Sequence, residues 1–261
     1  MYDEIFQRNK LYWNNDFQNF LKNKFVAIIG LGGVGGYCLE ALCRLGINNI
    51  LIADFDKISI SNINRQLIAL NSNIGMKKTD EYKKRLFDIN PELNLITYDG
   101  FIDENNLDKI FKIKPDFIID AIDTVKSKIS LIKYAKENNI NIISCLGAGN
   151  RIDASQLYVC DVSEIEYKDN FTKNFLSKLK KYADIENNLT VITSREHAKN
   201  LQKIKNIEKI EKDDGQIVEF TKFTPASNSI VPAVSGLFAA NEVLKTFLGE
   251  FNLKSRNNKA L

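Results

Sequence analysis

The apolar run Phe25-Val26-Ala27-Ile28-Ile29 passes without a break into Gly30-Leu31-Gly32-Gly33-Val34-Gly35, and a helix-patterned stretch, Tyr37 to Leu45, follows directly. A short unbroken apolar run fits a parallel strand buried on both faces. In the stretch after it, Leu39, Leu42 and Cys43 fall at inward-facing spacings, and Gly46 is a stop signal. Strand, glycine turn and helix bring free backbone N–H groups and the positive end of a helix dipole to one point, which makes an anion site. Gly30, Gly32 and Gly35 satisfy the G-x-G-x-x-G spacing in the strand-to-helix context that gives it meaning. The start of the chain is thereby committed to a βαβ unit that binds a nucleotide or dinucleotide.

The rest of the chain keeps that rhythm. Asn49 to Ala53 reads as a second strand, Gly75 to Asn90 as a helix stopped before Pro91, and Leu93 to Tyr98 as a strand. A short helix over Asn105–Phe111, a buried strand over Phe117–Ile119, a helix over Ser127–Asn138 and a strand over Ile140–Cys145 follow. This alternation predicts an α/β fold of the Rossmann-like, doubly wound kind, a mostly parallel sheet with ligands beyond the strand C-termini. From about 161 to 222 the pattern becomes charged and weakly amphipathic around a short β-like run, Leu189 to Thr193. A charged helical insertion is expected there. The apolar register returns in a C-terminal helix, Val234 to Phe247. With no repeat and no linker, residues 1–261 read as one domain.

Composition narrows the class. The formal charge is +3, from 36 basic and 33 acidic side chains, so it neither demands nor excludes nucleic acid. The four cysteines form no C-x-x-C pair and there is one histidine, so a cysteine/histidine zinc site is not expected. No leader and no long apolar run are present, so a cytoplasmic protein without a membrane span is expected.

Polar residues then collect at the predicted strand ends. Asp54 ends the second strand about 20 residues past the glycines, where such folds bond a ribose hydroxyl; it would otherwise serve as a turn former. Asn62 and Arg65 follow in a loop, where an arginine can clamp phosphate in bidentate fashion. Lys78 would open the next helix and add a point charge for phosphate, with Lys77 as the competing candidate. Asp123, after the fourth strand, is a suitable ligand for the Mg²⁺ that accompanies a triphosphate.

The series Gly30-x-Gly32-Gly33-x-Gly35, Asp54-x-Asp56, Asn62-x-x-Arg65-Gln66, Gly75-x-x-Lys78 and Asp120-Ala121-Ile122-Asp123 resembles the motifs of the ThiF/MoeB superfamily of ubiquitin-activating-type adenylating enzymes. Asp120-Ala-Ile-Asp-Thr-Val125, Gly147-Ala-Gly-Asn-Arg-Ile-Asp153 and Val231-Pro232 to Gly236 narrow the likeness to its branch of tRNA threonylcarbamoyladenosine dehydratases. The resemblance implies ATP and Mg²⁺ as cofactors and a single adenylating domain. It assigns Gly30, Gly32, Gly33, Gly35, Asp54, Asn62, Arg65, Lys78 and Asp123 to ATP, with Asp123 also on the metal. It further implies a homodimer in which Arg8, from Phe6-Gln7-Arg8-Asn9, reaches the partner's active site; the other reading of Arg8 is a surface charge. The implied reaction is ATP-dependent cyclisation of threonylcarbamoyladenosine beside the tRNA anticodon. The threonyl carboxylate is adenylated and the ring closes within the substrate, releasing AMP and pyrophosphate. Arg65, Lys78, Asp123 and Arg8 would carry the catalysis, and a sulfur-acceptor or cysteine-desulfurase system is a candidate protein partner.

Some superfamily members pass an acyl group to a cysteine. Cys38, Cys43, Cys145 and Cys160 all lie in or beside predicted core elements, so no thioester is expected. Two other readings stay open: adenylation of the C-terminus of a small sulfur-carrier protein, and a nicotinamide dehydrogenase on the same glycine turn. Lys173, Lys178, Lys180 and Lys181, with Phe171, Phe175 and Tyr182 nearby, suit either a nucleic-acid surface or an amphipathic helix that buries its phenylalanines.

Overall fold

The computed structural model describes residues 1–182, 188–199, 204–211 and 217–257, and only the backbone of 204–211, 217–224 and 255–257. Seven strands form one sheet: β1 (Phe25–Ile29), β2 (Asn49–Ala53), β3 (Asn94–Tyr98), β4 (Phe117–Asp120), β5 (Asn141–Cys145), β6 (Leu157–Asp161) and β7 (Thr190–Ser194). Their order is β3-β2-β1-β4-β5-β7-β6, parallel throughout except that β6 runs antiparallel to β7. The winding reverses between β1 and β4, and this is where an open α/β sheet offers its crevice.

Alternate residues of the apolar strands enter two separate cores, which is why the runs are unbroken. Val26, Ile28, Ile50, Ile52 and Ile119 pack on one face with α2 (Gln7–Lys22), α3 (Gly35–Leu45), α4 (Lys78–Ile89) and α8 (Ile230–Asn257). Ala27, Ile29, Leu51 and Ile118 pack on the other with α5 (Leu107–Ile110), α6 (Val125–Glu137) and α7 (Asn170–Leu179). A short α1 (Tyr2–Ile5) precedes α2, and Tyr2 donates its hydroxyl to the Gly46 carbonyl at 2.6 Å, tying the N-terminus to the end of α3.

The charged section is only half helical. Its first part forms α7, with Phe175 and Leu179 buried. Its second part is an antiparallel hairpin, β8 (Ile204–Glu211) and β9 (Ile217–Thr224), instead of a helix. Both stretches hold β-branched residues, the second with two phenylalanines as well, and Asp214-Gly215 between them is a hairpin signal that outweighs weak helical amphipathicity. Among the described residues, no helix is long and apolar enough to cross a membrane.

Candidate nucleotide site at the sheet switch point

The glycine turn closes over the C-terminal ends of β1 and β4. Gly30 has φ 93°, and a Cβ there would stand 2.7 Å from the Ala121 carbonyl oxygen. Gly35 has no room either, since its Cβ would overlap the Gly30 carbonyl oxygen. Gly33 packs between Pro232 of α8 and the stem of Arg65. Gly32 is open, with only the Gln66 amide nitrogen 3.9 Å from a Cβ position. Among the described residues, none accepts a hydrogen bond from the N–H of Gly32, Gly33 or Val34. Those groups stand at the start of α3, so the turn is an anion cradle with its donors unclaimed.

Asp54 braces this cradle from the end of β2. It is buried, and its two oxygens accept the Leu31 N–H at 2.6 Å and the Asp56 N–H at 2.7 Å. Burial pushes its carboxyl upward from the ordinary value, and Lys78 opposes that shift. Lys78 is the first residue of α4 and is buried, with its ammonium 2.7 Å from Asp56 and 3.7 Å from Asp54. Lys77 turns away and pairs with Asp99. Of the two candidate lysines, Lys78 is therefore the one at the site.

Asn62 is buried in the single turn Ile60–Asn62, where its Oδ1 accepts the Ser59 N–H at 3.1 Å. Arg65 follows, its guanidinium donating to the Ser61 carbonyl at 2.8 Å and to Asn64 Oδ1 at 2.9 Å. Burial lowers the Arg65 pKa, and the nearby Asp123 carboxylate raises it. Arg65 and Asp123 thus belong to one electrostatic neighbourhood, reached from opposite sides of the crevice. Asp123 is exposed and accepts from its neighbour Thr124 at 3.3 Å. Among the described residues, no three His, Cys, Asp or Glu side chains cluster around a possible metal position. A lone carboxylate suits Mg²⁺ held chiefly by substrate phosphates and water.

Arg8 lies elsewhere in the chain. It is exposed on α2, and its neighbour Asn9 donates to the carbonyls of Arg44 and Leu45 at 3.2 and 3.3 Å, at the C-terminal end of α3. The cradle is at the other end of that 11-residue helix, about 16 Å away. Arg8 therefore cannot serve its own chain's site.

Three supports escape a reading of spacing alone. Lys128 is fully buried; its ammonium donates to Asp120 at 2.8 Å, to Ser144 Oγ at 3.2 Å and to the Cys145 carbonyl at 3.0 Å. This knot fixes the strand ends that carry Asp123. Arg151, also buried, donates to the carbonyls of Gly147 and Gly149 and pairs with Asp169 at 2.7 Å. Residues 226–228 cross the rim: Ala226 and Asn150 exchange two hydrogen bonds, Asn228 donates to the Arg151 carbonyl, and Asn64 donates to the Ser227 carbonyl. A signal existed for Lys128, which falls on the inward stripe of Val125, Ile129 and Ile132, where a lone charge needs a partner.

The thiols are poorly suited to nucleophilic work. Cys38, Cys43 and Cys145 are buried, and burial pushes the last two up to about 12. Cys160 is half-exposed, yet burial and the carboxylates of Glu164, Asp161 and Glu166 push it up to about 11. Iodoacetamide at neutral pH is expected to leave the protein largely unmodified, with alkylation of Cys160 rising about tenfold per pH unit towards pH 11. Rapid stoichiometric labelling at pH 7 by mass spectrometry would contradict this.

A glycine cradle at the switch point, with Asp54, Lys78, Arg65 and Asp123 around it, defines a nucleotide site of the Rossmann kind. The chain belongs to the ThiF family, whose profile matches residues 6–260. It is 35% identical over 254 residues to the tRNA threonylcarbamoyladenosine dehydratase of Bacillus subtilis (strain 168), covering 97% of this chain and 98% of that one. It superposes with a TM-score of 0.81 on the Escherichia coli tRNA N6-threonylcarbamoyladenosine dehydratase, TcdA, crystallised with ATP, at 26% identity and 96% of both chains. The molybdopterin-synthase adenylyltransferase of Haemophilus influenzae is 32% identical over 165 residues, 63% of this chain and 64% of that one.

Proposed function

We propose that the chain is an ATP-dependent dehydratase of threonylcarbamoyladenosine in tRNA, working as one adenylating unit. The observation that carries this reading is the set of unclaimed N–H groups at Gly32, Gly33 and Val34 with Lys78 and Arg65 beside them. The full-length likeness to the Bacillus subtilis enzyme supports the choice of substrate. The cradle and Gly32 would take the phosphates, and Asp54 the ribose, with Asn62 closing the pocket. Asp123 would hold Mg²⁺ together with the phosphates, where the ion supplies positive charge.

In this scheme the threonyl carboxylate oxygen bonds to the α-phosphorus and the bond to the pyrophosphate oxygen breaks. Arg65 and Lys78 stabilise the charge that builds on the phosphate oxygens. The substrate's own carbamoyl group then attacks the acyl carbon, loses a proton and expels AMP, so the oxygen removed from the substrate leaves on the phosphate. An intramolecular nucleophile has a high effective concentration, so ring closure needs little further catalysis. The pushed-up thiols favour this direct route over a cysteine relay.

Arg8 enters only across a homodimer, because its own cradle is out of reach. The exposed Ile60, Leu70 and Met76 supply apolar surface for a second copy. Incubation with ATP, Mg²⁺ and modified tRNA is expected to yield AMP, and a nucleoside lighter by one water. AMP formed only when a small sulfur-carrier protein replaces tRNA would favour the second adenylation chemistry, to which the Haemophilus influenzae likeness points.

A further inference from the structure

Helix α7 leaves the rim of the crevice with a face of positive charge that no described acid neutralises. Lys173, Lys178, Lys180 and Lys181 are exposed, and residues 170–182 contain no aspartate or glutamate. None of the four forms an ion pair with a described residue, while Asp169 just before them is engaged by Arg151. The apolar side chains of this stretch have structural work: Phe175 and Leu179 fill the core, and the Tyr182 ring lies under Lys133. The phenylalanines thus follow the amphipathic-helix reading, and the lysines are left over.

A second feature stands at the rim end of the helix. Tyr167 and the chain's one histidine, His197, stack with ring centroids 4.0 Å apart and planes 27° from parallel. His197 is exposed and Tyr167 half-exposed, so the pair fills no core. Exposed Lys168 and Lys199 flank it. Both segments are tied to the crevice: beside His197, the Lys199 N–H donates to the Asn150 carbonyl at 3.0 Å and Glu196 accepts from the N–H groups of Ile152 and Asp153, while Asp169, two residues past Tyr167, pairs with Arg151. Phe171, in the first turn of α7, lies 3.5 Å from a Cβ position on Gly147. From the rim outward, a flat ring pair is therefore followed by Lys173 and Lys178 on a 10-residue helix, about 15 Å long, and by Lys180 and Lys181 just past its end.

We propose that this band is an RNA-docking surface, with the Tyr167–His197 stack receiving an unpaired base and Lys173, Lys178, Lys180 and Lys181, on and just past α7, contacting backbone phosphates. The inference rests on the tRNA substrate proposed above and names the surface that holds it. Lysines alone would suit any acidic partner, whereas an exposed ring stack beside them selects nucleobases. An anticodon arm lying along α7 would present one loop nucleotide to the crevice.

The full chain is compared with Lys173→Gln/Lys178→Gln/Lys180→Gln/Lys181→Gln and with His197→Ala, using modified tRNA at several salt concentrations and, separately, ATP. The fourfold variant is expected to lose at least tenfold in tRNA affinity, and its log–log salt slope should fall by about three. His197→Ala should lose about tenfold with an unchanged slope. ATP affinity and melting temperature should hold in both. Wild-type affinity and slope in the fourfold variant, with AMP still formed from modified tRNA, would overturn the docking surface alone. A wild-type protein displaced from tRNA by polyglutamate at lower concentration than by polyadenylate would assign the lysines to an acidic polypeptide instead. A wild-type protein that neither binds tRNA nor makes AMP would remove the tRNA reading and this surface together.

Discussion

Arg65→Ala is expected to lower the rate of AMP formation by on the order of a hundredfold to a thousandfold while leaving the melting temperature within a degree or two of the parent. The asymmetry follows from where the side chain sits. Its guanidinium bonds to the adjacent Ser61 carbonyl and Asn64 side chain on an exposed loop, so folding gains little from it. Its stem packs on Gly33, which places the charge beside the phosphate cradle, where negative charge grows as pyrophosphate departs. Arg65→Lys should recover only part of the rate, because an ammonium cannot grip two oxygens at once. Initial rates with modified tRNA and a thermal melt settle the matter; an Arg65→Ala protein at parental rate would take the phosphate role away from this loop.

Lys128→Met should cost about 3–5 kcal/mol of folding stability, the usual consequence of leaving one member of a buried ion pair alone. Asp120, Lys128 and Ser144 are all fully buried, and every bond of the knot is internal to β4, β5 and α6. Burial already pushes the Asp120 carboxyl above its ordinary value, with Lys128 and Ser144 opposing the shift. Removing Lys128 takes away the larger opposition. The sign of the pH dependence then follows. A folded-state carboxyl pKa above the unfolded value means the native state binds more protons, so stability is lost as pH rises through the folded pKa. The deficit of Lys128→Met relative to the parent should therefore be smaller near pH 5 than near pH 7.5, and Asp120→Asn in the same chain should restore part of it. Chemical denaturation at both pH values reads this directly, and a deficit that ignores pH would show that the knot carries no net charge interaction.

The parts of this molecule legible in its sequence are those written in local periods. Both cores are visible in the unbroken β1, β2 and β4 runs, and the switch-point cradle in the glycines at 30, 32 and 35. Asp54 and Lys78 could be placed because a strand end and a helix start fix where they point. The N-terminal helices, β6 and the β8–β9 hairpin were not legible. Their apolar residues do not commit to either period (Ile204, Ile207 and Ile210 of β8 fall at helical spacing although they are β-branched), and tertiary partners decide such segments. The same limit hid Lys128 and Arg151, whose carboxylate partners, Asp120 and Asp169, are 8 and 18 residues away in sequence and meet them only through the fold. Arg8 is the opposite case: its motif was visible, but its distance from the cradle of its own chain was not.

The most direct measurement is a crystal structure with ATP and Mg²⁺. The triphosphate is expected against the Gly32–Val34 N–H groups, with Lys78 and Arg65 on its oxygens and the ion beside Asp123. An empty crevice at saturating ATP, or a nicotinamide cofactor seated there in its place, would contradict the account at its root.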